Sequence, residues 1–267
     1  QLVKGFPAHV VGQEGAQALI QLSMAMWVRF PSDPLVVEAV EDLLLTLARV
    51  PEAVHRMIQT VVPCLPEVFE RVRRGDENLQ AVAQGSLCVF RELILRSMAS
   101  GSGRSGGNIG GGSATVGAAA VAEGGEEGAN LETSARRVLL SGLRGALPLL
   151  LETDSHALVQ DGCSTLLAFV SAFGADMAQP PPGGGTTWAV SGTQGSGGGG
   201  YSPAASDGTA LSLVLAFLTR IMAPGVDEAS ALCTGGLMSA VLTSVPSRCL
   251  GKETVQALLW ATFDKLE

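Results

Sequence analysis

Ser32-Asp33-Pro34-Leu35-Val36-Val37-Glu38-Ala39-Val40-Glu41-Asp42-Leu43 reads as the start of a helix. A carboxylate at Asp33 can accept hydrogen bonds from the first free amides of that helix. Pro34 suits the first turn, because the N–H it lacks would have no partner there. Behind this start, a helix is predicted over Pro34 to Val50. Its polar residues Glu38, Glu41, Asp42 and Arg49 share one stripe, and the remaining faces are apolar. Such a helix packs on at least two sides.

The same opening recurs three times, at Asp76-Glu77-Asn78-Leu79, Asp154-Ser155-His156-Ala157-Leu158 and Asp227-Glu228-Ala229-Ser230-Ala231-Leu232. Each Asp precedes a mostly apolar, helix-compatible run and is expected to cap it. When a Gly-rich run of roughly 30 residues is removed from each later gap, the spacings fall in the forties, the length of a two-helix HEAT or armadillo unit. Such a chain buries its core by stacking helix pairs, and its function is expected to be surface recognition.

Nine helices are predicted, with no strand. They span Gly15 to Arg29, Pro34 to Val50, Pro51 to Arg74, Asp76 to Met98, Thr133 to Thr153, Ala157 to Ala175, Leu211 to Met222, Glu228 to Val245 and Glu253 to Leu266. Pro63 and Pro66 should split the third, and Pro148 should kink the fifth. The fold class is therefore all-α, a HEAT/armadillo-like superhelix interrupted by two Gly-rich insertions. Residues 1–99 hold about two helix pairs, 131–178 one pair, and 207–267 one and a half. Ser100 to Asn130 and Gln179 to Ser206 are too poor in large apolar residues to offset their ordering entropy, and are read as disordered insertions. Trp188 and Tyr201 in the second do not change that reading.

Composition agrees with close-packed helices. Of 267 residues, 46% are apolar but only 4% aromatic, so Leu, Val and Ala must build the core. The net charge of −8 comes with no basic stripe, which argues against direct binding of nucleic acid. Cys64, Cys88, Cys163, Cys233 and Cys249 have no CxxC spacing and read as buried, reduced thiols. The opening residues do not resemble a signal peptide. The longest apolar run, Val138 to Leu151, is interrupted by Arg144 and is too short to cross a bilayer. The chain is expected to be a piece of a longer soluble protein.

No motif points to catalysis, a cofactor or a metal. Gly101-Ser102-Gly103-Arg104-Ser105-Gly106 matches GxGxxG, and Gly103 to Gly107 matches GxSxG. Both lack the strand–turn–helix setting that their chemistry needs. His9, His55 and His156 are far apart, and Glu123, Glu126 and Glu127 lie in the first Gly-rich run. Arg71, Arg73 and Arg74 end a predicted helix, where cations favour the carbonyl-rich terminus. The candidate partner-binding residues are Glu38, Glu41 and Asp42. They sit on the second helix of their pair, the position that lines the concave surface of a HEAT superhelix, where a basic partner could dock.

The Ser32 to Leu43 stretch resembles the C-terminal half of importin-9-type nuclear transport receptors. So does Gln160-Asp161-Gly162-Cys163-Ser164-Thr165-Leu166-Leu167-Ala168-Phe169-Val170-Ser171, followed by Trp188 and the helix pair Leu213 to Val245. The pieces occur in the same order and together cover roughly residues 28 to 265. The resemblance implies the importin-β superfamily (karyopherins). These are HEAT superhelices that carry cargo between cytoplasm and nucleus, meet nucleoporins and respond to the GTPase Ran. For this type it implies basic nuclear cargo such as histones, and no membrane partner. The other function class compatible with the sequence is a HEAT-repeat scaffold or adaptor without a transport role.

Overall fold

Helix-forming segments bounded by proline, glycine and capping side chains account for nearly all of the ordered secondary structure. The computed structural model describes residues 13–102, 125–177, 209–222, 228–252, 255–256 and 260. Among them the helices are α1 (Gln13–Arg29), α2 (Pro34–Leu47), α3 (Pro51–Thr60), α4 (Leu65–Arg73), α5 (Gln80–Ser102), α6 (Gly125–Glu152), α7 (His156–Met177), α8 (Ala210–Ile221) and α9 (Glu228–Ser244). Short 3-10 turns lie at Val62–Cys64, Glu77–Leu79 and Ser247–Cys249. No described residue is in a strand.

The proline expectations divide. Pro63 and Pro66 do split the Pro51–Arg74 segment, through the 3-10 turn before α4. Pro148 lies inside α6, which runs on to Glu152. A further break falls in α7, at Phe173 (φ −132°, ψ 21°). There Gly174 passes so close to α9 that an added Cβ would lie 2.7 Å from the Ser244 carbonyl oxygen. The first Gly-rich run is shorter than expected, because α5 continues to Ser102 and α6 begins at Gly125. The rest of that run, 103–124, and the whole second insertion lie outside the described residues. So does most of the expected last helix.

Of the four expected caps, Asp33 behaves as read. Its Oδ1 accepts from the amides of Leu35 and Val36 at 3.0 and 3.3 Å. Asp76 does not cap a helix through its side chain; it precedes a 3-10 turn and pairs with Arg71 at 2.6 Å. The cause is Gly75, whose φ of 95° closes a Schellman turn. The Gly75 amide donates to Val72 and the Asp76 amide to Arg71, which folds Asp76 back over the end of α4. Asp154 stands two residues before α7 and gives its carboxylate to Arg220 at 3.2 Å. Asp227 lies outside the described residues. Thr209 is a cap the sequence reading missed: its Oγ1 accepts from the Ser212 amide at 3.2 Å.

The principal contacts link helices one, two or three places apart along the chain. α1 packs on α2 and α3, α2 on α5, and α3 and α4 on both α5 and α6. α5 packs on α7, α6 on α8, and α7 and α8 on α9. The buried side chains form one continuous core from Ile20 to Leu250. α7 is long and apolar enough to cross a membrane, but 61% of that apolar stretch is buried within the fold, against α5 and α9 among others. Core packing accounts for its composition.

Among the described cysteines none is in a disulfide, and not all are buried. Cys163 is buried, Cys88 and Cys249 are half-buried, and Cys64 is exposed. The 3-10 turn forced by Pro63 buries Val62 and turns Pro63 and Cys64 outward. The side chain of Cys233 lies outside the described set.

Arg220 ties α8 to the end of α6. Its guanidinium donates to the carbonyls of Leu150 (2.7 Å) and Thr153, and to the Asp154 carboxylate. Those carbonyls lie at a helix end, where intrahelical partners run out. Arg220→Met keeps the apolar stem and removes the donors. It is expected to cost about 2 kcal/mol, read from urea unfolding, because the carbonyls lose a charged partner. Asp154→Asn should cost much less, since that carboxylate is fully exposed.

Candidate partner-binding surface

The stripe on α2 follows from helical spacing: Glu38, Glu41 and Asp42 are three and four residues apart and so share a face. Glu38 and Asp42 are exposed. Glu41 is not the solvated residue the sequence suggests. It is half-buried, leaning over Gly85 of α5, where an added Cβ would come within 2.8 Å of its Oε2. The absence of a side chain at Gly85 is what makes room for this carboxylate.

Glu41 accepts a hydrogen bond from the Cys88 thiol on α5. Burial raises its pKa above the ordinary carboxylate value, and the negative charges of Asp161, Asp42 and Glu38 raise it further; the thiol hydrogen bond opposes them. The Cys88 thiol is pushed up to about 11, chiefly by burial and then by the Asp161 and Glu41 carboxylates, with Arg91 opposing. The fold therefore brings Asp161 of α7 into the same negative field as the α2 stripe. Sequence reasoning missed Asp161. A signal was present: Glu41 stands eight residues after Asp33, and Asp161 seven after Asp154, in corresponding second helices.

The raised value has a consequence for stability. A carboxyl group with a higher pKa folded than unfolded favours the folded state when protonated. That contribution is full below the unfolded value near 4.5 and is lost as pH rises through the folded value. Glu41→Gln should therefore be more stable than the parent at neutral pH, and the advantage should disappear at and below about pH 4. Thermal unfolding at the two pH values checks this. An equal effect at both would mean that the carboxylate is not desolvated.

The other charged cluster is internally paired. Arg73 meets Glu70 at 2.7 Å and Glu152 at 3.1 Å, Arg74 meets Glu70 at 2.9 Å, and Arg71 meets Asp76. Hydrogen bonding from Arg73 lowers the Glu70 pKa, and the two carboxylates raise that of Arg73. A cavity of about 250 Å³ lies beside this network, lined by Val72, Arg73, Gln80, Glu152, Ser155 and Leu158. With Arg73 already held by two carboxylates, it is poorly suited to an anion.

His55 is half-buried in α3, and His156 is the exposed first residue of α7. His9 and most of the GxGxxG and GxSxG matches lie outside the described residues; Gly101 and Ser102 are the last residues of α5. Among the described residues no group of His, Cys, Asp and Glu is placed to hold a metal ion. Comparison with protein-family models finds no match, and no curated protein is significantly similar to the chain.

Proposed function

We propose that the helix pairs form a HEAT-type superhelix and that the chain works within an importin-β-type nuclear transport receptor, binding basic nuclear cargo such as histones. The observation that carries this reading is the gathering of Glu38, Glu41, Asp42 and Asp161 from α2 and α7, each the second helix of its pair, into one negative field. The pairwise order of helix contacts supports the superhelix. The collinear resemblance of Ser32 to Leu43 and Gln160 to Ser171 to importin-9-type receptors supports the transport role. In this reading the chain is not an enzyme and uses no cofactor. It resides in cytoplasm and nucleus, and the receptor meets Ran and nucleoporins while touching neither membrane nor nucleic acid.

The test is capture of proteins from nuclear and cytosolic extract on the full-length receptor, with and without GTP-loaded Ran. Basic nuclear proteins released by Ran are the expected result. Capture that ignores Ran, by a protein that stays out of nuclei, would replace the transport reading with that of a HEAT scaffold.

A further inference from the structure

We infer that an apolar groove between α1 and α2 is a docking site for an amphipathic helix of another protein, one that carries basic residues along one flank. The groove encloses about 280 Å³ and is lined by Leu22, Met26, Leu35, Val36, Ala39 and Leu43. Two of these side chains stand in water: Leu35 is 76% exposed and Leu22 56%. The inner faces of the pair are occupied, α1 by α3 and α2 by α5. An exposed apolar patch with a polar rim is a common mark of a protein-binding surface.

The chemistry of the floor selects a helix. Ser23, the polar residue of the lining, is buried and donates its hydroxyl to the Leu19 carbonyl at 2.8 Å. The backbone amides of the walls are spent within α1 and α2 or, at Leu35 and Val36, on Asp33. An extended peptide would therefore lay unpaired backbone groups on an apolar surface, which is costly. A helix arrives with those groups already paired. Its size also fits: Leu35 to Leu43 covers about 12 Å of helix axis, and apolar anchors at i, i+4 and i+7 of a docked helix cover about 11 Å. Met26 adapts to the shape of such anchors.

Charge decides which helix. Glu38 and Asp42 follow Leu35 and Ala39 by three residues, so they stand beside the groove, and both are exposed. Along α1, Ala18 and Ala25 flank Leu22 at helical spacing and carry no charge. Arg29, at the end of α1, lies over the Phe30 ring. Two carboxylates four residues apart on one rim match basic side chains along one flank of the incoming helix. A second copy of this chain is a poor occupant. Two grooves face to face would double the acidic charge at the contact, on a chain of net charge −8. Glu38 and Asp42 are shared with the cargo face proposed above; the apolar floor is not, and the helix site does not depend on a transport role.

The probe is a fluorescent synthetic peptide with Leu at i, i+4 and i+7 and Lys along one flank. It is titrated into the full chain at low salt and followed by anisotropy. Saturable binding is expected, with a gain of peptide helix in circular dichroism. Leu35→Ser and, in a second protein, Leu22→Ser should each weaken binding by about tenfold. Both positions are exposed, so the thermal midpoints of these variants should match the parent. Glu38→Lys with Asp42→Lys should weaken the Lys-flanked peptide by a similar factor and make a Glu-flanked version the better ligand. No binding to the parent, undiminished binding to both serine variants, or equal affinity of the parent for the Lys-flanked and Glu-flanked peptides would overturn the inference. So would a dimer of the parent that Leu35→Ser abolishes, which would give the groove to a second copy.

Discussion

Phe169→Ala is expected to destabilise the protein by about 3–5 kcal/mol, the range for emptying a fully buried aromatic site. Phe169 has no exposed surface and sits in the middle of α7, which joins α5 on one side to α9 on the other. Its ring centroid lies 5.0 Å from Phe173 and 6.4 Å from Phe90 on α5. The substitution loses two aromatic contacts as well as buried area. Because α7 packs on both α5 and α9, the loss weakens two interfaces at once. Urea unfolding followed by circular dichroism should therefore show a large drop in midpoint. Leu167→Ala, on the same helix but 37% exposed, is the control and should cost well under half as much. Similar losses at the two positions would mean that α7 does not pack as described.

Reversing Glu38, Asp42 and Asp161 to Lys should weaken binding of a core-histone dimer by roughly tenfold to a hundredfold at low salt. These carboxylates contribute to a single negative field, and each reversal changes that field by two charges. Glu41 is left out because it is half-buried against Cys88, where a lysine would be costly to bury. The difference should shrink as salt rises, since exposed charges act over about 8–10 Å at physiological ionic strength. Thermal stability should change little at Glu38 and Asp42, which are exposed; Asp161 is half-buried, so Asp161→Lys alone is expected to lower it and is measured separately. Equal affinity of parent and variant at low salt would rule out this face as the cargo surface.

Much of the fold was legible because its signals are local. Asp33-Pro34 marks the start of α2, and Pro63 and Pro66 mark the break before α4; both depend on backbone chemistry within a few residues. Asp76 and Asp154 misled because the chain places them off the capping position. Asp76 is folded back over α4 by the Gly75 turn and pairs with Arg71, and Asp154 stands one residue before Ser155, where its exposed carboxylate meets Arg220 of α8. Pro148 shows that a proline can remain inside a helix whose neighbours pack on it from two sides. The candidate surface was half visible. The α2 stripe follows from spacing within one helix. Asp161 joins it only through the packing of α2, α5 and α7, and the burial of Glu41 depends on the missing side chain of Gly85.

The central claim is that this helical array recognises a basic protein through its acidic face. Calorimetric titration of a core-histone dimer into the full chain, at low and then at high salt, tests it most directly. Saturable binding that weakens steeply with salt is the predicted result. Absence of binding at low salt, or binding indifferent to salt, would contradict it.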